Sequence, residues 1–466
     1  MLTPAAAAPA RGRGRALQSA LREAVRSGRL AAGTRLPSSR ELATDLGVSR
    51  GLVTEAYEQL TAEGYLRSDR GSGTWVGEAA RARPRGAHDL APRRAAGAVV
   101  DFRPGTPDLS LFPRAGWAAA HKSVLARLPH RKLGYPDPRG LPELRTALAS
   151  LLTRRRGAVA DPECLVVCSG VAQAMTVLGS VLRERGLDAL GVEDPGSPEH
   201  GPLFRAAGLT ATALPLDGEG LAMGPLRRSG LTAVTTTPAH QFPTGIAYSA
   251  RRRTELLDWA RSVDGLIVED DYDGDFRYDR APVGALQGLD PERVAYSGSV
   301  SKSLAPGLRL GWMLVPGRLL AAAVERKRTM DLGNPALDQA VLADFIGSGG
   351  YDRQLRRCQR AYRERRDVLV RALAEHFPGS RVSGIAAGLH IIARLPPRYG
   401  PEERFLHRAE RAGIAVRPLS AHAMTPEPEP GLTAPGHEVR LVLGYAHLTP
   451  ADIVRGVSLL ARETAR

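Results

Sequence analysis

The chain has 466 residues, 43 % of them hydrophobic and 24 % charged, the balance of a folded protein long enough for more than one domain. It contains no run of about 18 uncharged apolar residues, which excludes a membrane-spanning helix. Its three cysteines, Cys164, Cys168 and Cys358, are too few and too scattered for a disulfide framework or a zinc site, so no metal centre is expected. The net charge of +15 is uneven, because residues 1–100 hold sixteen arginines, no lysine and nine acids. A basic excess at one end suits a polyanionic partner, although a GC-rich genome that favours arginine gives the same excess.

The opening, MLTPAAAAPARGRGR, lacks an apolar core of signal-peptide length, and its arginines follow its apolar part. A disordered lead and a cytoplasmic protein are expected. Residues 13–77 then carry clear helical punctuation. RALQSALREAVRSG spaces Leu17, Leu21 and Val25 by four and ends at Gly28. PSSRELATDLG opens with Pro37 and a serine cap, carries Leu42 and Leu46, and stops at Gly47. SRGLVTEAYEQLTAEG starts at Ser49, turns Leu52, Val53, Ala56, Tyr57 and Leu60 inward, and ends at Gly64. YLRSDRGSGTWVG reads as two short strands around a glycine-rich tip. Helix, helix, a short link, helix and hairpin is the order of a winged helix-turn-helix.

Such a motif reads double-stranded DNA with the start of its second helix, here Ser49, Arg50, Gly51 and Leu52. Arg50 suits a guanine edge or a phosphate, and Ser49 suits a helix cap and a phosphate. Ser38 and Arg40 are placed to grip the DNA backbone, and Arg70 and Gly71 at the wing tip to approach the minor groove. The plainer alternative is that the serines only cap helices and the arginines are only solvated.

Residues 78–100, rich in Ala, Arg and Pro without apolar periodicity, form a flexible linker. Beyond it, short apolar runs alternate with amphipathic helices: CLVVCS before AQAMTVLGSVLRER, ALGVED before HGPLFRAAG, and RRRTELLDWARSV before GLIVEDDY. This pattern predicts an α/β domain over 101–466 with a mostly parallel sheet covered on both faces.

The chain writes only four lysines against sixty arginines, and one of the four, Lys302, stands in SGSVSKSLAPGLRLGW. Arginine stays protonated and forms no Schiff base, whereas a lysine with a lowered pKa does. Around Lys302, Ser299 and Ser301 offer hydroxyls, and Arg309 offers a planar fork for phosphate oxygens. These neighbours suit an aldehyde cofactor bearing phosphate. In LIVEDDYDGDFRY an apolar strand ends in Glu269, Asp270, Asp271 and Tyr272, where an aspartate can pair with a protonated pyridine nitrogen and a tyrosine with a ring phenolate. Carboxylates at a strand's C-terminal end stand where open α/β sheets bind ligands. In VVCSGVAQAM, a strand, a glycine turn and a helix start aim the amides of Gly170, Val171 and Ala172 at an anion.

Residues 13–77 closely resemble the winged-helix domain of the GntR family of bacterial regulators. Gly51 and Leu52 stand where that family often has polar residues, leaving fewer groups for reading bases. Residues 101–466 resemble the fold-type I aminotransferases, which use pyridoxal 5′-phosphate. That resemblance implies Lys302 as the lysine of the internal aldimine, Arg309 as the phosphate arginine and Tyr272 as the phenolate-binding tyrosine. It implies Asp270 as the partner of the pyridine nitrogen, with Asp271 one position away. Tyr135, in LGYPDPRGLPELR, resembles the tyrosine that reaches the phosphate from the other subunit, and Arg440, in EVRLVLGYA, falls where the substrate carboxylate is held. His240 and Gln241, in TPAHQFPTG, lie near the expected ring edge, with a satisfied structural histidine as the alternative.

The two halves in this order resemble the MocR/GabR type of transcriptional regulator. This implies a domain that senses pyridoxal 5′-phosphate or an amine or amino acid reacting with it, in a head-to-tail homodimer. Its target genes would serve vitamin B6 synthesis or amine and amino-acid metabolism. Two departures stand out. Ser197, in EDPGSPEH, replaces an aromatic residue expected to stack on the cofactor ring, so stacking falls to another residue, His200 being one candidate, or is absent. Val171 and Ala172 replace hydroxyl or amide side chains at the phosphate turn. The rival readings are an active aminotransferase with a DNA-binding head and a scaffold with a relic pocket.

Overall fold

The computed structural model describes residues 12–69, 73–77, 99–278, 283–424 and 438–464. The opening segment to residue 11, the wing tip with Arg70 and Gly71, and linker residues 78–98 lie outside the described residues. The chain divides into two compact units at residues 94 and 95. No helix of the described residues is long and apolar enough to cross a membrane.

The first unit has helices Arg13–Arg26, Ser39–Leu46 and Arg50–Ala62. Leu17, Leu21, Val25, Leu42, Val53, Ala56, Tyr57 and Leu60 form its core, and Leu52 packs against it half-buried. Burying these side chains holds three helices that are each too short to persist alone. A capping box starts the second helix: Ser38 Oγ accepts from Glu41 N at 3.2 Å, and Glu41 Oε2 accepts from Ser38 N at 2.8 Å. Gly47 closes it at φ 62°, a left-handed conformation that glycine adopts without a Cβ penalty. The hairpin Leu66–Asp69 and Gly73–Val76 gains a third strand, Arg35–Leu36, antiparallel to Gly73–Val76. Two residues are too few for an alternating pattern, so the sequence shows only two strands.

The second unit is built on an eight-stranded sheet. From edge to edge its strands are Leu165–Cys168, Gly311–Leu314, Val294–Ser299, Leu266–Asp270, Ala233–Thr236, Ala189–Asp194, Thr210–Asp217 and Gly220–Leu221. The strands from Val294–Ser299 to Thr210–Asp217 pair in parallel, while Gly311–Leu314 runs against both its neighbours. Alternate residues fill opposite faces. Leu165 and Val167 join Leu148, Trp312 and Tyr351, whereas Val166 and Cys168 join Ala174, Leu178 and Val181. Burial pushes the Cys168 thiol up to about 12 and Cys358 up to about 11, so neither is a thiolate at neutral pH.

A smaller antiparallel sheet, absent from the expectation, runs Arg381–Ser383, His390–Arg394, Arg440–Gly444 and Arg417–Pro418. Its short strands carry charge at their ends, which hides them in the sequence.

One buried ion pair ties the helical layer to the main sheet. Arg156, the last residue of helix Pro142–Arg156, meets Asp271 through Nε at 2.6 Å and Nη2 at 3.1 Å, and Tyr296 donates to the same carboxylate at 2.6 Å. Both side chains are almost wholly buried. Removing one partner of such a pair leaves an uncompensated charge, at a cost of about 3–5 kcal/mol. Arg156→Ala should therefore lower the thermal unfolding midpoint of the second unit by several degrees. An unchanged midpoint, followed by circular dichroism, would show that Asp271 does not depend on Arg156.

Candidate functional site

The carboxyl ends of five aligned strands bring the expected residues to one edge of the large sheet. Cys168 leads to Gly170, Asp194 to Ser197, Thr236 to His240, Ser299 to Lys302, and Leu266–Asp270 itself ends in the key carboxylate. Arg309 enters at the same edge, two residues before the reversed strand Gly311–Leu314. Strand order, rather than nearness in sequence, assembles the site.

Gly170 (φ 84°) begins helix Val171–Glu184, whose first amides have no side-chain cap. A Cβ at position 170 would lie 3.0 Å from Arg309 Nη2, so glycine lets the guanidinium pack beneath the turn. Arg309 donates to Ser169 O, and the rest of the turn is braced by residues the sequence did not single out. Gln173 Oε1 accepts from Ser169 N at 2.7 Å, and Asn334 Nδ2 donates to Ser169 Oγ at 2.8 Å. Gln173 Nε2 in turn donates to Asp331 at 2.8 Å, and Asp331 pairs with the fully buried Lys327 at 2.8 Å. Free amides of Val171 and Ala172 beside an exposed arginine make an anion seat.

Lys302 is half-buried and donates to Gly105 O at 2.5 Å. Burial holds its ammonium below the ordinary lysine pKa, against the pull of Asp273 and Asp270, which favours the reactive neutral amine. Ser299 Oγ accepts from Ser301 N at 3.3 Å and keeps its own proton to donate. Ser299, Lys302 and Tyr272 line one recess with Asp273 and Ser303.

The two adjacent aspartates have different surroundings. Asp271 is closed by Arg156 and Tyr296. Asp270 Oδ2 meets His200 Nε2 at 3.0 Å, but its Oδ1 is buried with no hydrogen-bond partner among the described residues. A buried carboxylate oxygen left idle costs free energy unless a ligand N–H reaches it. His200 is itself buried and holds Asp270, which removes it as the candidate for stacking on the ring. Ser197 is half-buried, its Oγ accepting from Glu199 N at 3.4 Å.

Tyr272 OH lies 2.9 Å from His240 Nδ1, and the same nitrogen lies 2.8 Å from Asp273 Oδ2. His240 is 3 % exposed, so it supports Tyr272 from the interior instead of presenting an open edge. Gln241 is likewise interior, donating to Glu193 Oε2 at 3.1 Å and accepting from the Thr244 hydroxyl at 2.5 Å. Tyr135 is 89 % exposed. Arg440 is buried against Glu438, at 3.1 Å through Nε and 3.0 Å through Nη2, so its guanidinium is already engaged.

In the first unit Ser38, Arg40 and Arg50 line one open groove with Arg35, Thr54 and Thr74. Ser49 Oγ caps helix Arg50–Ala62 by accepting from Leu52 N at 3.3 Å, and Ser49, Arg50 and Gly51 are exposed at its start.

The residues of the second unit fit pyridoxal 5′-phosphate: an anion seat, a lysine with a lowered pKa, a tyrosine hydroxyl and an idle buried carboxylate oxygen suited to a pyridinium N–H. Comparison with known proteins agrees. Residues 14–76 match the gntR family of bacterial regulatory proteins, and residues 99–454 match aminotransferase class I and II. The chain is 35 % identical to the probable rhizopine catabolism regulatory protein MocR of Rhizobium meliloti, over 96 % of this chain and 92 % of that protein. It is 34 % identical to the pyridoxine biosynthesis transcriptional regulator PdxR of Corynebacterium glutamicum, over 87 % of each. Among solved structures, Pyrococcus horikoshii kynurenine aminotransferase superposes with a TM-score of 0.69 at 26 % identity, over 79 % of this chain and 91 % of that one. The chain thus belongs to the MocR type of gntR-family regulator, in which a helix-turn-helix head precedes an aminotransferase class I and II domain that binds pyridoxal 5′-phosphate.

Proposed function

We propose that residues 13–77 bind operator DNA and that pyridoxal 5′-phosphate, held by residues 101–466, changes that binding, with 78–100 as the linker. The observation that carries this reading is Asp270 Oδ1, a buried acceptor with no partner among the described residues, in a chain that also carries an exposed recognition-helix start. The bound cofactor supplies an aldehyde that condenses with primary amines and a ring that draws electron density. Lys302 contributes the amine that holds it. Asp270, steadied by His200, accepts from its ring nitrogen. Tyr272 donates to the ring oxygen. The amides of Gly170, Val171 and Ala172, the hydroxyls of Ser299 and Ser301, and Arg309 receive the phosphate.

In the head, Arg50 faces a base edge or phosphate, while Ser38, Arg40, Ser49 and the Gly51 amide contact the DNA backbone. Leu125 and Leu133, each 62 % exposed, lie near Tyr135 in sequence and support a homodimer in which Tyr135 reaches the phosphate of the second subunit. Such a regulator works in the cytoplasm, where its operator is. The genes under control are those of cofactor supply or of amine and amino-acid use.

A cofactor shifts DNA affinity only if it binds one state of the protein better than another, and typical couplings amount to about 5–150-fold. Titration onto the DNA upstream of its own gene should show a shift in this range on adding pyridoxal 5′-phosphate, lost in Lys302→Ala. An identical shift in the variant would overturn the role of Lys302. Asp270→Asn should weaken cofactor binding about tenfold to a hundredfold, the range of a charge-assisted hydrogen bond. His200→Ala should weaken it less, through loss of orientation. Equilibrium dialysis reads both, and unchanged binding in Asp270→Asn would remove Asp270 from the site.

A further inference from the structure

The anion that an effector would carry has a better seat than Arg440, an inference that rests on the reading of Lys302 as the cofactor lysine. Residues paired across antiparallel strands share a face of the sheet. On the small sheet, Arg440, Val442 and Gly444 therefore lie with Arg394, Ile392 and His390, and Arg417 joins them opposite Val442. Leu441 and Leu443, on the other face, enter the main core, whereas Val442 packs with Ile392 and Leu419 in a small separate cluster. The His390 ring lies 5.4 Å from His240 and 5.1 Å from Phe242, and Phe242 lies 5.7 Å from Tyr272. At the same end Gly444 N donates to Phe102 O, three residues before Gly105, whose carbonyl holds Lys302. This face therefore borders the cofactor site.

Two arginines on it differ. Arg440 is four residues from Gly444, roughly 13 Å along the strand, and is paired with Glu438. Arg417 is aligned with Val442, only two residues or roughly 7 Å from Gly444. It is half-buried and has no side-chain partner among the described residues. His422 stands nearby on the turn Leu419–His422, 3 % exposed, with its ring 5.1 Å from Phe242. Among the described residues neither of its ring nitrogens makes a full hydrogen bond, the Gly196 backbone being the nearby polar group that acts on the ring. Its carbonyl accepts from Gly196 N at 3.0 Å, which fixes it beside Ser197, and the neighbouring acid Asp194 has Oδ1 taken by Met424 N at 2.8 Å. Burial, with Arg417 beside it, holds His422 down to about 4, so it is neutral at pH 7 and offers one N–H.

We propose that Arg417 and His422 seat the anionic end of an amino compound whose amine meets the cofactor at Lys302, and that Arg440 does not. The guanidinium fork matches a carboxylate or sulfonate, and the imidazole N–H adds a second direction of contact. The small apolar cluster of Ile392, Leu419 and Val442 suits a short carbon chain between the two ends. An idle buried imidazole and an unpaired half-buried arginine are both satisfied by one such ligand.

The test uses the full-length protein loaded with pyridoxal 5′-phosphate, titrated with 4-aminobutyrate against butylamine and with taurine against ethylamine. The change in cofactor absorption reads amine binding, and operator affinity gives an independent signal. The wild type should bind at least one anionic amine about tenfold or more tightly than its uncharged-end counterpart, the value of one charge-assisted contact. Which pair shows the gap distinguishes carboxylate from sulfonate. Arg417→Ala should erase the preference while leaving the plain amine within about twofold, His422→Phe should reduce it, and Arg440→Ala should retain it. No preference in the wild type, its survival in Arg417→Ala, or its loss in Arg440→Ala would each overturn the proposal. A protein that shows no cofactor band, or whose band is unaltered by Lys302→Ala, instead fails the reading of the site itself.

Discussion

The site depends on how one short acidic turn is divided. Asp270 and Asp271 are neighbours in sequence, and two adjacent carboxylates in a buried setting repel unless each is neutralised separately. Asp271 turns to the helical layer and is saturated by Arg156 and Tyr296. Asp270 turns to the strand edge, receives one bond from His200, and keeps one oxygen idle. The first arrangement fixes the helix to the sheet, and that rigidity keeps the second open. A carboxylate with a single rigid partner is poised to accept from a ligand without first moving.

Two of the four lysines, in a chain that otherwise writes arginine, answer distinct needs. Lys302 must offer a nucleophilic nitrogen, which a guanidinium does not. Lys327 answers a different need. It is fully buried and meets both oxygens of Asp331 at 2.8 Å, inside a helix, where a compact ammonium fits and a planar fork with five donors would leave several unsatisfied. Through Asp331 and Gln173 it steadies the turn at Ser169, so on the proposed reading one lysine would meet the cofactor and another stiffens the turn that would receive the phosphate.

Much of this was legible in the sequence because local chemistry and chain order carry it. The capping serines, Gly47 and the four-residue apolar spacing fix the helix-turn-helix, since caps and periodicity act over a few residues. Lys302 stood out as one of four lysines, the acidic turn at Asp270 and Asp271 stood out because a strand end in a parallel sheet is recognisable from its apolar run, and the resemblance supplied the specific roles of Arg309 and Asp270. The choice between Asp270 and Asp271 was not legible, because it turns on Arg156, 115 residues away. Likewise His200 read as a stacking candidate until its distance to Asp270 was known, and the small sheet escaped because its strands are short and partly charged. Gln173 and Asn334 gave no signal, being polar residues whose partners come from distant turns.

Regulation requires that something at the site distinguish two arrangements of the large unit. The segment Leu419–Met424 leaves the small sheet and crosses to the Asp194–Gly196 end of the large one, held there by one backbone hydrogen bond from Gly196 N to His422 O and one from Met424 N to the Asp194 carboxylate. A ligand anchored at Lys302 on one side and at Arg417 and His422 on the other would span that crossing. On the proposed reading an uncharged amine would touch only the first side, whereas an anionic amine would favour whichever arrangement lets it hold both anchors at once. Its leverage over the DNA-binding head is therefore bounded by the second anchor, because a ligand shifts an equilibrium only by its difference in affinity for the two states.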